Sequence, residues 1–277
     1  MLRRATEDGW LLFTQPDHAS LSGALIGHWG NDRFVRPERF SEVVRATYEH
    51  DFGWTEWERA PEADPENGQP VPFTDLTESQ YVEIWTRSAD QLAEQEPYAA
   101  LLVTSHSENL ARMRLGRALA AGEERYKSRF VTREVPAEEA PVLRSFLEAM
   151  AARKAALAAR LARADAGPDG VLRQARRDYR FVQLGDLASL ELCHGLAGSV
   201  TIQDVPRGAG ERIAITLRPA GPETVAVDPF PFSGELAVSV RARRIRPRAF
   251  ASTEAFRETL ARVPWETLTI RLQPTTR

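Results

Sequence analysis

His50 and Asp51 stand side by side at the end of an amphipathic helical pattern and are followed by Phe52 and Gly53. Packing alone favours apolar residues at such a point, so an adjacent imidazole and carboxylate need another reason to be there. His18, His106 and Asp186 fall in separate helical stripes, which gives the order His, His-Asp, His, Asp along the chain. Imidazole nitrogens and carboxylate oxygens bind divalent transition metals at about 2.0–2.2 Å when stiff elements bring them together. His106 shares the phase of Leu102, Leu110 and Met113, and Asp186 that of Val182 and Leu190, so both side chains are expected to turn inward. A carboxylate buried without a partner costs several kcal/mol, so Asp186 needs a cation, a proton or several donors. Each residue also has a plain structural reading: His50 at a helix C-terminus suits the helix dipole, and Asp186 could pair with an arginine such as Arg180. As a set, His18, His50, Asp51, His106 and Asp186 point to a divalent metal site of one or two ions, with Mn, Fe, Zn or Mg as candidates. His28 is ten residues beyond His18, about 15 Å along a helix, and is expected to be a partly buried structural residue. His194, near a helix end, is read the same way.

The elements that must position this set read as helices. Pro16 and Asp17 open one that runs to about Trp29, where Gly30-Asn31 stops it. Phe40, Val43, Val44 and Thr47 lead in phase to His50 within a second helix from Pro37 to His50. A stretch rich in Pro, Gly, Asp and Glu between Trp57 and Thr74 excludes regular structure there. Helical periods return over Ser79–Gln95, Tyr98–Leu119, Ala137–Arg163 and Val171–Cys193, with Gly167-Pro168-Asp169-Gly170 as a break. After Gly198 the pattern changes to short alternating runs over 199–205, 212–217, 224–227, 236–245 and 266–272, with one helix over Thr253–Arg262. Asp228-Pro229-Phe230-Pro231-Phe232 is expected to plug the β region against the helices.

The chain of 277 residues is long enough for a full core without staples. A single cysteine, Cys193, rules out a disulfide within the chain and agrees with a reducing compartment. Arg3 and Arg4 lead only into a brief apolar run from Trp10 to Phe13, so neither an export signal nor a membrane span is read, and a soluble, cytoplasmic protein is expected. The net charge of −3 comes from abundant charges of both signs, so neither nucleic acid nor an anionic membrane is expected as a partner. Five arginines from Arg241 to Arg248 do not change that reading, because no nucleic-acid motif accompanies them.

The order of the metal candidates resembles the HD superfamily of metal-dependent phosphohydrolases, with Asp51-Phe52-Gly53 similar to its doublet followed by glycine and Gly185-Asp186-Leu187 similar to its final small-residue-plus-Asp helix. The resemblance implies His18, His50, Asp51 and Asp186 as ligands of one ion and His106 as the additional histidine of two-metal members. Trp54 stands where many members have lysine, so no lysine contact to phosphate is implied. A longer resemblance, over nearly the whole chain, is to an uncharacterised bacterial family, domain of unknown function 3891. It rests on Gln15-Pro16-Asp17-His18, His28-Trp29-Gly30, His50 to Trp54 with Trp57-Glu58, Pro97 to Leu102 with His106, Gln183 to Cys193, and Val227 to Phe232. That family brings no activity with it.

The expected architecture is mainly α, an HD-like helical bundle over residues 1–197, with a small C-terminal antiparallel β region over 198–277, α+β overall. The expected function is metal-dependent hydrolysis of a small phosphorylated molecule by metal-activated water. Two alternatives use the same residues: a di-iron oxygenase, and a non-catalytic binding module with a structural metal or a degenerate site. Trp29, Trp54 and Trp57 could border the metal or simply fill the core, Glu58 could orient a ligand or lie on the surface, and Arg45, Arg112, Arg114 and Arg117 could hold phosphate or face solvent.

Overall fold

A computed structural model describes residues 1–116, 134–162, 167–208, 210–246 and 248–275. Its first strands, β1 (Leu2–Ala5) and β2 (Trp10–Phe13), form an antiparallel hairpin in which Leu2 faces Phe13 across the ladder. The later strands are β3 (Val200–Gly208), β4 (Glu211–Gly221), β5 (Thr224–Asp228), β6 (Leu236–Ile245) and β7 (Glu266–Pro274). β2 pairs with β6, and the seven strands make one sheet in the order β1-β2-β6-β7-β5-β4-β3. β5 and β7 run parallel while the other neighbours are antiparallel.

This corrects the expected architecture. The chain is not a mainly helical HD-like bundle with a small antiparallel C-terminal region, because one mixed sheet draws strands from both ends of the sequence. The reason is physical: Trp10–Phe13 is four residues long and joins the main sheet because β6, more than 200 positions away, supplies ladder partners on the side away from β1. Arg3 and Arg4 have a structural task in the hairpin. Arg4 donates through Nε to the carbonyl of Cys193 at 2.7 Å and through Nη2 to that of Leu192 at 2.6 Å, tying the hairpin to the end of a long helix.

The helices are α1 (Gln15–Gly27), α2 (Phe40–Glu49), α3 (Trp54–Trp57), α4 (Glu78–Gln91), α5 (Pro97–Arg114), α6 (Ala140–Leu161), α7 (Pro168–His194) and α8 (Thr253–Arg262). α5 ends at Arg114 with Leu115 as its C-cap, and residues 117–119 of its expected continuation, Arg117 among them, lie outside the described residues. Thr14 caps α1 by accepting from the Asp17 N–H, with Pro16 in the first turn, and Thr77 and Gln80 form a capping box on α4. Gly167-Pro168 does not stand apart from α7 but starts it, the proline sitting where its missing N–H is harmless. None of the described helices is long and apolar enough to cross a membrane.

α1 packs on α2 and α7, α5 on α6 and α7, and α7 on β3. The main core joins helices to sheet through Leu21, Leu25, Trp29, Phe181, Ile202, Leu217 and Leu236, while a second apolar cluster gathers Trp54, Tyr81, Trp85, Phe146 and Met150. The Asp228–Phe232 segment does lock the two layers together. Phe232 is buried edge-on against Trp29, and Asn31 donates to the carbonyls of Phe230 and Phe232 at 3.0 and 2.9 Å.

Candidate metal centre

Four elements deliver the polar cluster. α1 presents His18, α2 ends with His50 as its C-cap and Asp51 just beyond, α5 carries His106 in its body, and α7 carries Asp186 in its body. Two glycines let these elements meet. A Cβ on Gly185 would lie 2.8 Å from Thr47 Cγ2 and 2.9 Å from Ile26 Cγ1, so α7 approaches α1 and α2 closely only because residue 185 has no side chain. A Cβ on Gly53 would lie 1.9 Å from the Ile84 carbonyl oxygen, and the Gly53 N–H donates to Ser88 Oγ at 2.9 Å, which docks the turn after Asp51 onto α4. Gly185→Ala is therefore expected to lose about 1–3 kcal/mol to overpacking. Urea unfolding would measure it beside Gly198→Ala, where the new methyl meets nothing within 4 Å.

All five candidate residues come together and all are buried, from 1 % exposure for His18 and His50 to 5 % for Asp51. His18 Nε2 is 3.1 Å from Asp51 Oδ2 and 3.5 Å from Asp186 Oδ1. His50 Nε2 is 3.6 Å from Asp51 Oδ2 and 3.5 Å from Asp186 Oδ1, and His106 Nε2 is 3.8 Å from Asp186 Oδ2. Two donors each about 2.1 Å from one ion stand about 3.0 Å apart on an octahedral edge, about 3.4 Å on a tetrahedral edge and at most about 4.2 Å across it. The donor separations thus match the edges of a coordination shell. Two triads, His18 with His50 and Asp186, and His50 with Asp51 and His106, each have all ligand atoms within 4.8 Å of one another.

Proton accounting sharpens the point. His50 Nδ1 lies 2.8 Å from the Thr47 carbonyl, which can only accept, so the imidazole hydrogen sits on Nδ1. Ser189 Oγ donates to the Asp186 carbonyl at 2.9 Å and has no second hydrogen, so it accepts from His18 Nδ1 and from Ser22 Oγ, both at 2.7 Å. In the neutral rings both Nε2 atoms then present lone pairs to carboxylate oxygens, an arrangement that a metal ion between them or a proton on Nε2 relieves. His50 Nε2 in particular is buried with no hydrogen-bond partner among the described residues.

The local charges agree. Burial alone would lower the His50 pKa, but the charges of Asp51 and Asp186 overcome it and raise it to about 9. Burial pulls His106 down to about 4 despite Asp186. Asp186 would be pushed up by burial, yet the surrounding histidines, His50 first, hold it down at about 2. Positive charge is thus favoured at His50 between the two carboxylates, while the His106 ring stays neutral.

The other candidates disperse. Arg180 pairs with Asp204 at 3.0 Å rather than with Asp186, Arg45 faces Glu49 and Glu96, and Arg112 faces Glu108. His28 is exposed at the C-cap of α1, with Nδ1 2.8 Å from the Ala24 carbonyl, not partly buried as expected. Trp29 belongs to the helix–sheet core, and of the three tryptophans Trp54 lines the cavity beside His18 and Asp51. The Glu58 side chain is buried, accepting from the Gln15 N–H at 3.2 Å, and so fixes the start of the helix that carries His18. Ser189, the Thr47 carbonyl and Tyr179, which hold the outer nitrogens of the histidines, and Ser22, which bonds Ser189, were not singled out as site residues in the sequence. The signal that would have found two of them is spacing: Ser189 lies one turn beyond Asp186 and Ser22 one turn beyond His18.

The cluster is buried yet reachable. Two clefts border it, each having His106 and Asp186 in its wall, one continuing past Asn109, Tyr179 and Gln183 and the other past Trp54, Tyr81 and Trp85. Neither the curated proteins nor the solved structures contain a match to the chain. A family profile described as protein of unknown function (DUF3891) matches residues 1–247. That match covers most of the sequence, in line with the motifs from Gln15 to Phe232, and the chain belongs to the DUF3891 family.

Proposed function

We propose that the protein is a metal-dependent hydrolase of phosphoesters, with His18, His50, Asp51, His106 and Asp186 holding one or two divalent ions. The observation that carries this reading is the unpartnered His50 Nε2, aimed with His18 Nε2 at two carboxylates while the Nδ1 hydrogens are used elsewhere. Three imidazoles among the donors favour Mn, Fe or Zn over Mg. A divalent ion in such a site supplies a Lewis acid and a water of lowered pKa.

The chain's own residues supply the rest. Asp186 turns Oδ1 toward His18 and His50 and Oδ2 toward His106, a carboxylate placed to serve both sides of the cluster. Ser189 and the Thr47 carbonyl keep the rings of His18 and His50 in the tautomer whose Nε2 can bind metal. The clefts that reach His106 and Asp186 favour catalysis over a purely structural metal, since a structural site is closed.

The test is metal content by plasma mass spectrometry on protein purified without chelators, followed by turnover of para-nitrophenyl phosphate and its diester with added Mn, Fe or Zn. Bound metal with metal-dependent turnover supports the proposal. Wild-type protein that takes up none of these ions ends it, and oxygen uptake without phosphoester turnover redirects it to iron oxygenase chemistry. A linked prediction follows from His50. With its pKa raised to about 9, His50 is protonated near neutral pH, so metal uptake must release a proton. Calorimetry in buffers of different ionisation enthalpy is expected to find about one proton released, with apparent affinity rising up to about tenfold per pH unit until about pH 9.

A further inference from the structure

One buried polar side chain beside the cluster has no task in metal binding. Gln15 starts α1, three residues before His18, and is 2 % exposed. Its backbone N–H is taken by Glu58, yet Oε1 of its carboxamide has no hydrogen-bond partner among the described residues. It lines the same cleft as His18 and Asp51, a space of about 490 Å³ counting its open mouth. A buried amide oxygen without a donor is uncommon in a folded protein and marks a place where a ligand donor is wanted.

The remaining walls say what kind of ligand. Trp54, Phe73, Tyr81 and Trp85 give the cleft aromatic walls, with Trp54 edge-on to Tyr81 and Tyr81 held between Trp85 and the Arg114 guanidinium. Arg114 also lines it, with Nε and Nη2 held by Glu78, so that its charge is already paired. Aromatic walls favour a flat ring, a paired guanidinium does not demand an anion, and an unpartnered amide oxygen reads a donor N–H.

We infer that this cleft binds a neutral, flat aromatic group bearing an N–H, which it donates to Gln15 Oε1. On the hydrolase reading, and only for the part that reaches the cluster, this group is the organic moiety of the phosphoester. The other cleft, with Asn109 and Gln183 in its walls, lacks that aromatic lining.

The probes are acetanilide, which has ring, carbonyl and N–H, and acetophenone, which lacks the N–H. Ligand-observed NMR titration on full-length protein, as purified and after chelator treatment, is expected to show acetanilide binding about tenfold more tightly. Gln15→Leu should abolish that preference, and Gln15→Glu, which keeps an acceptor oxygen, should preserve it, with circular dichroism verifying both folds. Failure of both probes to bind, an unchanged preference in Gln15→Leu, or a lost one in Gln15→Glu would overturn the inference. Because the readout needs no metal, a ring preference without bound metal or turnover sinks the hydrolase alone, and turnover without ring preference sinks the cleft alone.

Discussion

Replacing His50 with alanine is expected to weaken metal binding roughly 100-fold or more and to reduce phosphoester turnover to background. His50 belongs to both triads, so its loss removes a donor from each, whereas loss of His106 or His18 leaves one triad intact. The variant also leaves Asp51 and Asp186 facing one another's field without the cation that His50 provides when protonated. Calorimetric titration with Mn or Zn, beside metal content of the purified variant, checks the size. Ser189→Ala is the graded companion. It removes the hydroxyl that accepts from His18 Nδ1 but no ligand, and an outer contact of this kind is worth about 10–100-fold in affinity. If His50→Ala binds metal as wild type does, the ion sits elsewhere and the proposed function falls with it.

The polar cluster could be read from the sequence because it violates a pattern. His106 and Asp186 occupy positions where Leu102, Leu110, Val182 and Leu190 fix an inward phase, and an ionisable group on an inward face needs a partner. The residues that orient the cluster could not be read in the same way. Ser22 and Ser189 are unremarkable in small-residue helices, and Thr47 contributes through its backbone carbonyl, which every residue possesses. Glu58 looked like a surface glutamate, and only the fold brings it to the Gln15 N–H.

The sheet shows the opposite balance. The strand runs after Gly198 were legible by alternation, but Leu2–Ala5 and Trp10–Phe13 are too short to carry a period, and Arg3 and Arg4 obscure what they have. Their place in the main sheet is set by β6 and by the α7 carbonyls that Arg4 meets, contacts separated by most of the chain. Parallel pairing of β5 with β7 was equally hidden, since α8 between β6 and β7 carries no mark of the strand order it enforces.

Arg114→Met is expected to cost about 3–5 kcal/mol, the largest stability loss foreseen for a single side chain away from the metal cluster. Arg114 and Glu78 form a two-point ion pair with side chains 4 % and 0 % exposed, so removal of one partner strands the other's charge without water. A loss of that size lowers the melting temperature on the order of 10 °C in a chain this long. Glu78→Leu should cost a similar amount, while the double variant should cost far less than the sum, because neither charge is then left alone. Thermal and urea unfolding of the four proteins gives the coupling directly. Single losses below about 1 kcal/mol would mean that water reaches the pair. The same cycle reports on the cleft, because the guanidinium lies 4.5 Å over the Tyr81 ring and the Tyr81 hydroxyl donates to the Phe73 carbonyl at 2.8 Å. A double variant that regains stability but binds both probes more weakly would assign Arg114 to the cleft wall as well as to the fold.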